Sequence, residues 1–283
     1  MEVEISSLSQ TKRNLLSHLS SKKMRMKYGM FLVEGKKSVK DLIEYCSSQF
    51  VILYLVADKS HYDEAVALAK KYSLYCHQNN MSLTDTLNPD EEKINIFVAS
   101  DEDMKRISTL ISVPGIIAVC KLPSTPSEEE ILKLPLDSGI YLLLDGVQDP
   151  GNLGTIIRTA HWFGIKNIFA SKETVDIYNP KVVQASMGSL GSVTINYVNL
   201  DQLVVQNPHL PLIGLLLDGN NIFEYPVIES GFIIMGNEGN GISQNLRQKI
   251  TVPLTIPPYN KHNHSESLNV AVATAITLAH FRK

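Results

Sequence analysis

The spacing of apolar and polar positions divides the chain into two textures. Up to about residue 121 the apolar runs are short and separated by mixed segments. Leu8, Leu15, Leu16 and Leu19 are spaced as on a helix over Ser7–Ser20. Gly29–Glu34 (GMFLVE) predicts a strand, and Lys36–Cys46 an amphipathic helix with Val39, Leu42 and Ile43 inward. Phe50–Val56 predicts a strand, His61–Tyr72 a helix, Leu74–His77 a further strand, Met104–Thr109 a short helix and Gly115–Cys120 a strand. That alternation describes a small α/β domain with its own core, residues 1–121. Lys121–Leu136 (KLPSTPSEEEILKLPL) concentrates prolines, small polar residues and glutamates. It predicts a linker, 122–138, with one helical turn inside it.

From Gly139 the apolar runs become long and nearly unbroken: Ile140–Leu144, Asn167–Ala170, Leu212–Leu217, Phe232–Met235 and Ile250–Ile256. Strands apolar on both faces belong to a parallel sheet covered by helices, here a second domain over 139–283. Leu142–Gly146 and Leu215–Gly219 share the string LLLDG, but the residues after the two strings differ, so they are two similar strand ends and not a repeat. The last predicted helix, Ser267–Phe281, is apolar enough to be buried on most sides, in the fold or in a dimer interface.

The first strand of this half runs into Asp145-Gly146, and Pro150-Gly151-Asn152 reads as a turn with Asn152 as helix cap. The helix runs to Phe163, with Gly164 as its stop. At about 100° per residue Leu153, Ile156, Ile157, Ala160 and Phe163 form one stripe, and Arg158 points about 165° away from it. On pattern alone this is equally an ordinary strand–helix unit with a solvated arginine.

Composition narrows the class. The chain has 283 residues, 44% hydrophobic and 19% charged, with a formal net charge of −3. No apolar run approaches the ~20 residues of a membrane span, and MEVEISSLSQ lacks the basic-then-apolar order of a signal peptide. Cys46, Cys76 and Cys120 are far apart, which suits reduced thiols in a cytoplasmic protein. Charge is unevenly placed: 11–40 holds nine Lys or Arg against the single acid Glu34. Lys22, Lys23, Arg25, Lys27, Lys36 and Lys37 form the densest part, suited to phosphate contacts or to a solvated helical face.

Two further stretches could carry chemistry. Gly231–Ser243 (GFIIMGNEGNGIS) runs a strand into three glycines within six residues, which permits close backbone approach to a ligand. It is neither a dinucleotide fingerprint nor a Walker loop, and Glu238 would repel phosphate. Ile256–Asn269 runs from Ile-Pro-Pro through a polar loop to Ser267-Leu268-Asn269, at the strand end where parallel sheets bind ligands. His262 and His264 form a lone HxH, and with no CxxC, HExxH or EF-hand pattern no metal is expected.

In this order DPGNLGTIIRTA, IIMGNEGNGIS and IPPYNKHNHSESLNVAVATAI resemble the three motifs of the SpoU (TrmH) family of RNA 2'-O-ribose methyltransferases, in the SPOUT superfamily. KKMRMKYGMFLVEGKKSVKDLIE is similar to the start of that family's substrate-binding domain. The resemblance implies a parallel sheet with a deep trefoil knot, a smaller N-terminal α/β RNA-binding domain, bound S-adenosylmethionine and a homodimer. It implies ribosomal RNA as substrate, transfer RNA as the alternative, or an inactive RNA-binding protein that keeps the fold. Carried over by motif position, Gly236, Ile256 and Leu268 hold the cofactor through their backbone, with Asn237 and Gly239 in the same loop. Asn152, Arg158, Glu238, Ser267 and Asn269 match the residues linked to catalysis. The chain departs from the family at Gln184, where arginine is common, and in the longer loop 257–266.

Overall fold

The structure is a computed structural model and describes residues 5–45, 49–79, 94–260 and 266–282. It consists of two compact units, Met1–Ser124 with Tyr178–Gly191, and Thr125–Ile177 with Ser192–Lys283.

In the first unit the chain forms β1 (Ile5–Ser7), α1 (Gln10–Ser17), α2 (Lys22–Tyr28), β2 (Met30–Glu34), α3 (Lys36–Tyr45), β3 (Ile52–Asp58), α4 (Tyr62–Gln78), β4 (Asn95–Ala99), α5 (Asp101–Ile107) and β5 (Ile116–Lys121). The sheet order is β1-β4-β3-β5-β2, with β1, β4 and β3 parallel and β5 antiparallel to β3 and β2. Every residue of β3 is buried, because helices cover both sides of this central strand. The strand expected at Leu74–His77 is instead the last turn of α4. Ala65, Leu68, Ala69, Tyr72 and Cys76 are buried at intervals of three and four, a helical period that continues past Tyr72. The expected helix at Ser7–Ser20 is shorter, and the basic stretch after it forms a helix of its own, closed by Gly29 at φ 65°.

That second helix corrects one expectation. Lys22, Lys23 and Lys27 are exposed, but Arg25 is only 2% exposed. Its guanidinium donates to the carbonyls of Leu19 (2.8 Å) and Ser20 (2.7 Å), so it caps carbonyls left without partners after α1 and does not belong to an RNA-facing surface. Arg25→Ala therefore lowers stability by about 2 kcal/mol, the scale of hydrogen bonds from a charged donor. Denaturant titration checks this, and RNA affinity of the folded variant should stay unchanged. Lys36 and Lys37 open α3 and are exposed, with Lys36 ion-paired to Glu64.

The second half of the chain forms α6 (Glu128–Leu132), β6 (Ile140–Asp145), α7 (Pro150–Trp162), β7 (Asn167–Ala170), α8 (Pro180–Ser186), β8 (Thr194–Tyr197), α9 (Leu200–Gln206), β9 (Leu212–Asn221), β10 (Gly231–Gly236), α10 (Gln244–Arg247), β11 (Val252–Thr255) and α11 (Val270–Phe281). Segment Tyr178–Gly191, with α8, packs in the first unit although the expected boundaries assign it to the second domain. Its Tyr178 ring lies 4.8 Å from Phe31 and 6.4 Å from Phe50, which supplies the apolar contact. The remaining strands form one parallel sheet, β11-β9-β10-β6-β7-β8. Leu142, Leu143 and Leu144 of β6 and Ile233 and Ile234 of β10 are all fully buried, so both faces of the central strands are covered as the unbroken apolar runs require.

The stretch read as a linker carries more structure than its composition suggests. Ser127 and Glu130 form a reciprocal capping box on α6, and Ile131 and Leu136 are buried in the second unit's core beside Tyr141 and Phe232. Cys76 and Cys120 are free and buried, and burial pushes both thiols up; Cys46 lies outside the described residues. Among the described residues no helix is long and apolar enough to cross a membrane, and no group of three or more His, Cys, Asp or Glu could hold a metal ion. His262 and His264 lie outside the described residues.

Candidate functional site

In a parallel sheet every strand ends at the same edge, and here that edge collects the three motif stretches. At the end of β6 the chain turns at Gly146 (φ 72°), and α7 begins at Pro150. Its cap is Asp149, not Asn152: Asp149 Oδ1 accepts from the Asn152 backbone amide at 2.8 Å. Asp before Pro is the better start, since the carboxylate takes an unpaired amide while proline at the first position lacks one. Asn152 is thereby moved into the first turn, and its side chain is left for other work. Leu153, Ile156, Ile157 and Ala160 are buried as the stripe requires, and Arg158 is on the exposed face.

The side chain of Asn152 joins the other two motifs. Its Nδ2 donates to Glu238 Oε1 at 2.9 Å, and its Oδ1 accepts from Asn269 Nδ2 at 2.9 Å. Asn269 Oδ1 in turn accepts from the amides of Ala271 (2.9 Å) and Val272 (3.3 Å), so it is the cap of α11. Glu238 also accepts from the backbone amides of Gln148 and Asp149, both at 3.3 Å. Three residues from three separated stretches therefore form one hydrogen-bonded line, with every polar end matched.

Partial burial would raise the Glu238 carboxyl, but the bonds from Asn152, its own amide, Gln148 and Asp149 outweigh it and hold the group below the usual carboxylate range. A carboxylate whose folded pKa is depressed stabilises the fold above its unfolded pKa, and that contribution is lost as pH falls through the folded value. The line is thus intact at neutral pH and opens only in acid, below the usual glutamate value of about 4.3. A carbon-detected NMR titration of Glu238 checks this, and Asn152→Ala should move the midpoint upward.

The glycine loop after β10 is shaped by Asn237. Its Nδ2 donates to the Gly146 carbonyl at 2.7 Å, and its Oδ1 accepts from the amides of Gly239 and Asn240, each at 2.9 Å. Asn237 and Gly241 exchange backbone hydrogen bonds at 2.9 Å in both directions. The far end of the loop is fixed by Asp145, whose Oδ2 accepts from the Ser243 amide at 2.7 Å. With both ends of its amide engaged, Asn237 shapes the loop and offers it to a ligand through backbone groups.

Beside this loop lies a cleft of about 680 Å³, the size of a small-molecule site. Leu215–Asp218 in the middle of β9, Met235–Ile242, Arg247, Thr255, Ile256 and Glu266–Val270 line it. Gly236, Asn237, Glu238, Gly239, Ile256, Ser267, Leu268 and Asn269 are all in that wall, as motif position implied; Asn152 reaches it through Glu238 and Asn269. Arg158 and the basic residues of the first unit are not in it. The cleft fits the expected S-adenosylmethionine. Apolar side chains flank the glycine loop, in which a Cβ on Gly236 would lie 2.4 Å from the Gly241 carbonyl carbon, so only glycine lets the end of β10 pack against its own loop.

Leu215–Asp218, Arg247 and the loop-fixing Asp145 join the site without a motif of their own. The first of these belong to the second LLLDG, which the structure places within β9 and not at its end. Arg247 carries no motif, and only the fold brings it to the cleft.

The model of the SpoU rRNA Methylase family matches residues 139–279. The chain is 30% identical over 267 residues to the 23S rRNA (guanosine(2553)-2'-O)-methyltransferase RlmP of Bacillus subtilis, covering 93% of each. Among solved structures, a TrmH-family protein from Porphyromonas gingivalis superposes with a TM-score of 0.75 at 33% identity, covering 98% of this chain and 99% of that one. An rRNA methyltransferase from Sinorhizobium meliloti, solved with AdoMet bound, shares the fold with a TM-score of 0.76 at 23% identity, over 99% and 97% of the two chains. The chain belongs to the SpoU rRNA methylase family.

Proposed function

We propose that this protein transfers a methyl group from S-adenosylmethionine to a ribose 2'-hydroxyl of structured RNA, with ribosomal RNA as the first substrate and transfer RNA as the second. The observation that supports it most is the line Glu238–Asn152–Asn269, which ties all three family motifs together at the mouth of the cleft.

When bound, S-adenosylmethionine supplies an electrophilic methyl on a sulfonium, so the protein's task is alignment more than activation. Gly236, Ile256 and Leu268 would hold the cofactor through backbone groups, and the loop shaped by Asn237 and Asp145 sets their spacing. Glu238 keeps Asn152 turned toward Asn269, which fixes the start of α7 on which Arg158 stands. Arg158 keeps its charge, as guanidinium groups do in proteins, so it orients the ribose hydroxyl or clamps the neighbouring phosphate and does not act as the base. Ser267 and Asn269 are neutral hydrogen-bonders suited to the ribose.

The reading assigns RNA binding to the first unit, with the exposed Lys22, Lys23, Lys27, Lys36 and Lys37 binding RNA phosphates, and methyl transfer to the second. It includes a cytoplasmic protein without a metal. It also includes a deep trefoil knot at the C-terminal edge of the sheet. A homodimer completes it, with Trp162 (84% exposed on α7) and Val272 (48% on α11) as the apolar contact. Sedimentation should give twice the chain mass, and Trp162→Glu should halve it.

Incubating the protein with methyl-labelled S-adenosylmethionine and unmodified ribosomal or transfer RNA tests the activity. Label on ribose 2'-oxygens of ribosomal RNA is the expected outcome. Cofactor binding in calorimetry without label on any RNA would instead favour an RNA-binding protein that keeps the fold.

A further inference from the structure

Charge in the cleft is lopsided. Its described lining carries three carboxylates, Asp218, Glu238 and Glu266, against one cation, Arg247. Glu238 is accounted for by its bonds to Asn152 and the loop amides. Asp218, in the middle of β9, and Arg247, at the end of α10, come from separate elements and meet in the cleft wall. A single nitrogen, Arg247 Nη2, contacts both Asp218 oxygens, at 3.1 and 3.2 Å. That leaves the second terminal nitrogen and Nε of the guanidinium for an incoming carboxylate, and leaves Asp218 with acceptor capacity for an ammonium. Both side chains are more than half exposed, so their mutual attraction is weak and yields readily to a ligand.

An Asp–Arg pair of this kind is complementary to a zwitterionic amino acid. We propose that Arg247 and Asp218 form the subsite for the amino-acid end of the cofactor, Arg247 receiving the α-carboxylate and Asp218 the α-ammonium. This rests on the reading that the cleft takes S-adenosylmethionine. The wall fits that charge pattern. A ligand with a sulfonium and an ammonium but one carboxylate meets mostly acids, and the single guanidinium is the one described lining group that can pair with its carboxylate. The same wall also holds apolar Leu215–Leu217 and Met235, so charged and apolar surfaces are offered in one cleft.

Binding measurements separate this assignment from the wider one. Calorimetry on the full-length protein would use S-adenosylhomocysteine, which keeps the amino-acid end, and 5'-methylthioadenosine, which lacks it. Arg247→Ala should weaken S-adenosylhomocysteine about tenfold or more, the scale of losing charge-assisted hydrogen bonds, while 5'-methylthioadenosine changes by less than about twofold. Arg247→Lys should recover part of the loss, and Asp218→Asn should also act on S-adenosylhomocysteine alone. Equal weakening of both ligands would mean that Arg247 only supports α10, and no weakening of either would mean that it does not touch the ligand; each overturns the proposal. If the unaltered protein binds neither ligand, the reading of the cleft as a cofactor site fails with it.

Discussion

Arg158→Ala lowers the rate of RNA methylation by about 10²–10³-fold, the range found when one preorganised donor is removed from a reacting centre. The variant should fold and should bind cofactor as before. Arg158 is on the exposed face of α7, opposite the buried stripe of Leu153, Ile156, Ile157 and Ala160, and is absent from the cleft wall. It lies outside the buried stripe, so its removal leaves no cavity in the core. The split between unchanged cofactor Kd and lost kcat distinguishes an arginine that positions RNA from one that props up the site. Arg158→Lys keeps the charge but loses the planar fork, and should recover only a minor part of the rate.

Gly236→Ala acts at the opposite step and raises the cofactor Kd about tenfold or more. The added Cβ would meet Gly241 C at 2.4 Å, Ile242 N at 2.5 Å and Gly241 O at 2.7 Å, all backbone atoms that no side-chain rotation can clear. The loop would have to open, breaking the paired Asn237–Gly241 hydrogen bonds and moving the amides that Asn237 gathers. Gly239→Ala is the control, because its Cβ would lie 3.6 Å from Asn237 Oδ1, an ordinary contact. Expected is a large loss at 236 and a small one at 239, read by calorimetry. Equal effects would mean that the loop works through flexibility and not through its fixed shape.

The parallel sheet was legible because burial on both faces leaves a direct trace, an unbroken apolar run such as Ile140–Leu144. The stripe on α7 was legible for the same reason, and it set Arg158 outward. Shorter elements left weaker traces. β1 has three residues and β8 four, too few for a period to emerge. The last turn of α4 looked like a strand because Leu74, Tyr75 and Cys76 form a short apolar run, whereas its burial follows the longer helical period set from Ala65 onward.

Chemistry was less legible than fold. Asp149 and Asn152 are both good caps, and only Pro150 between them decides which one serves. The difference matters because a capping Asn152 would turn its Oδ1 to the amides of α7, whereas here that oxygen accepts from Asn269. Arg25 looked like one more cation in a basic block, yet its guanidinium closes the carbonyl end of α1. Composition counts charges without knowing which are solvated. Asp145, Asp218 and Arg247 come together from the end of β6, the middle of β9 and the end of α10, a meeting that no local pattern reports.

Methyl transfer to an RNA ribose is the activity expected of the site built around the line Glu238–Asn152–Asn269. The most direct measurement is single-turnover transfer from labelled S-adenosylmethionine to unmodified ribosomal RNA, with the labelled position identified after nuclease digestion. A site of this kind predicts label on a ribose 2'-oxygen in the unaltered protein and little in Arg158→Ala. Label on a base, or equal label from both proteins, would contradict it.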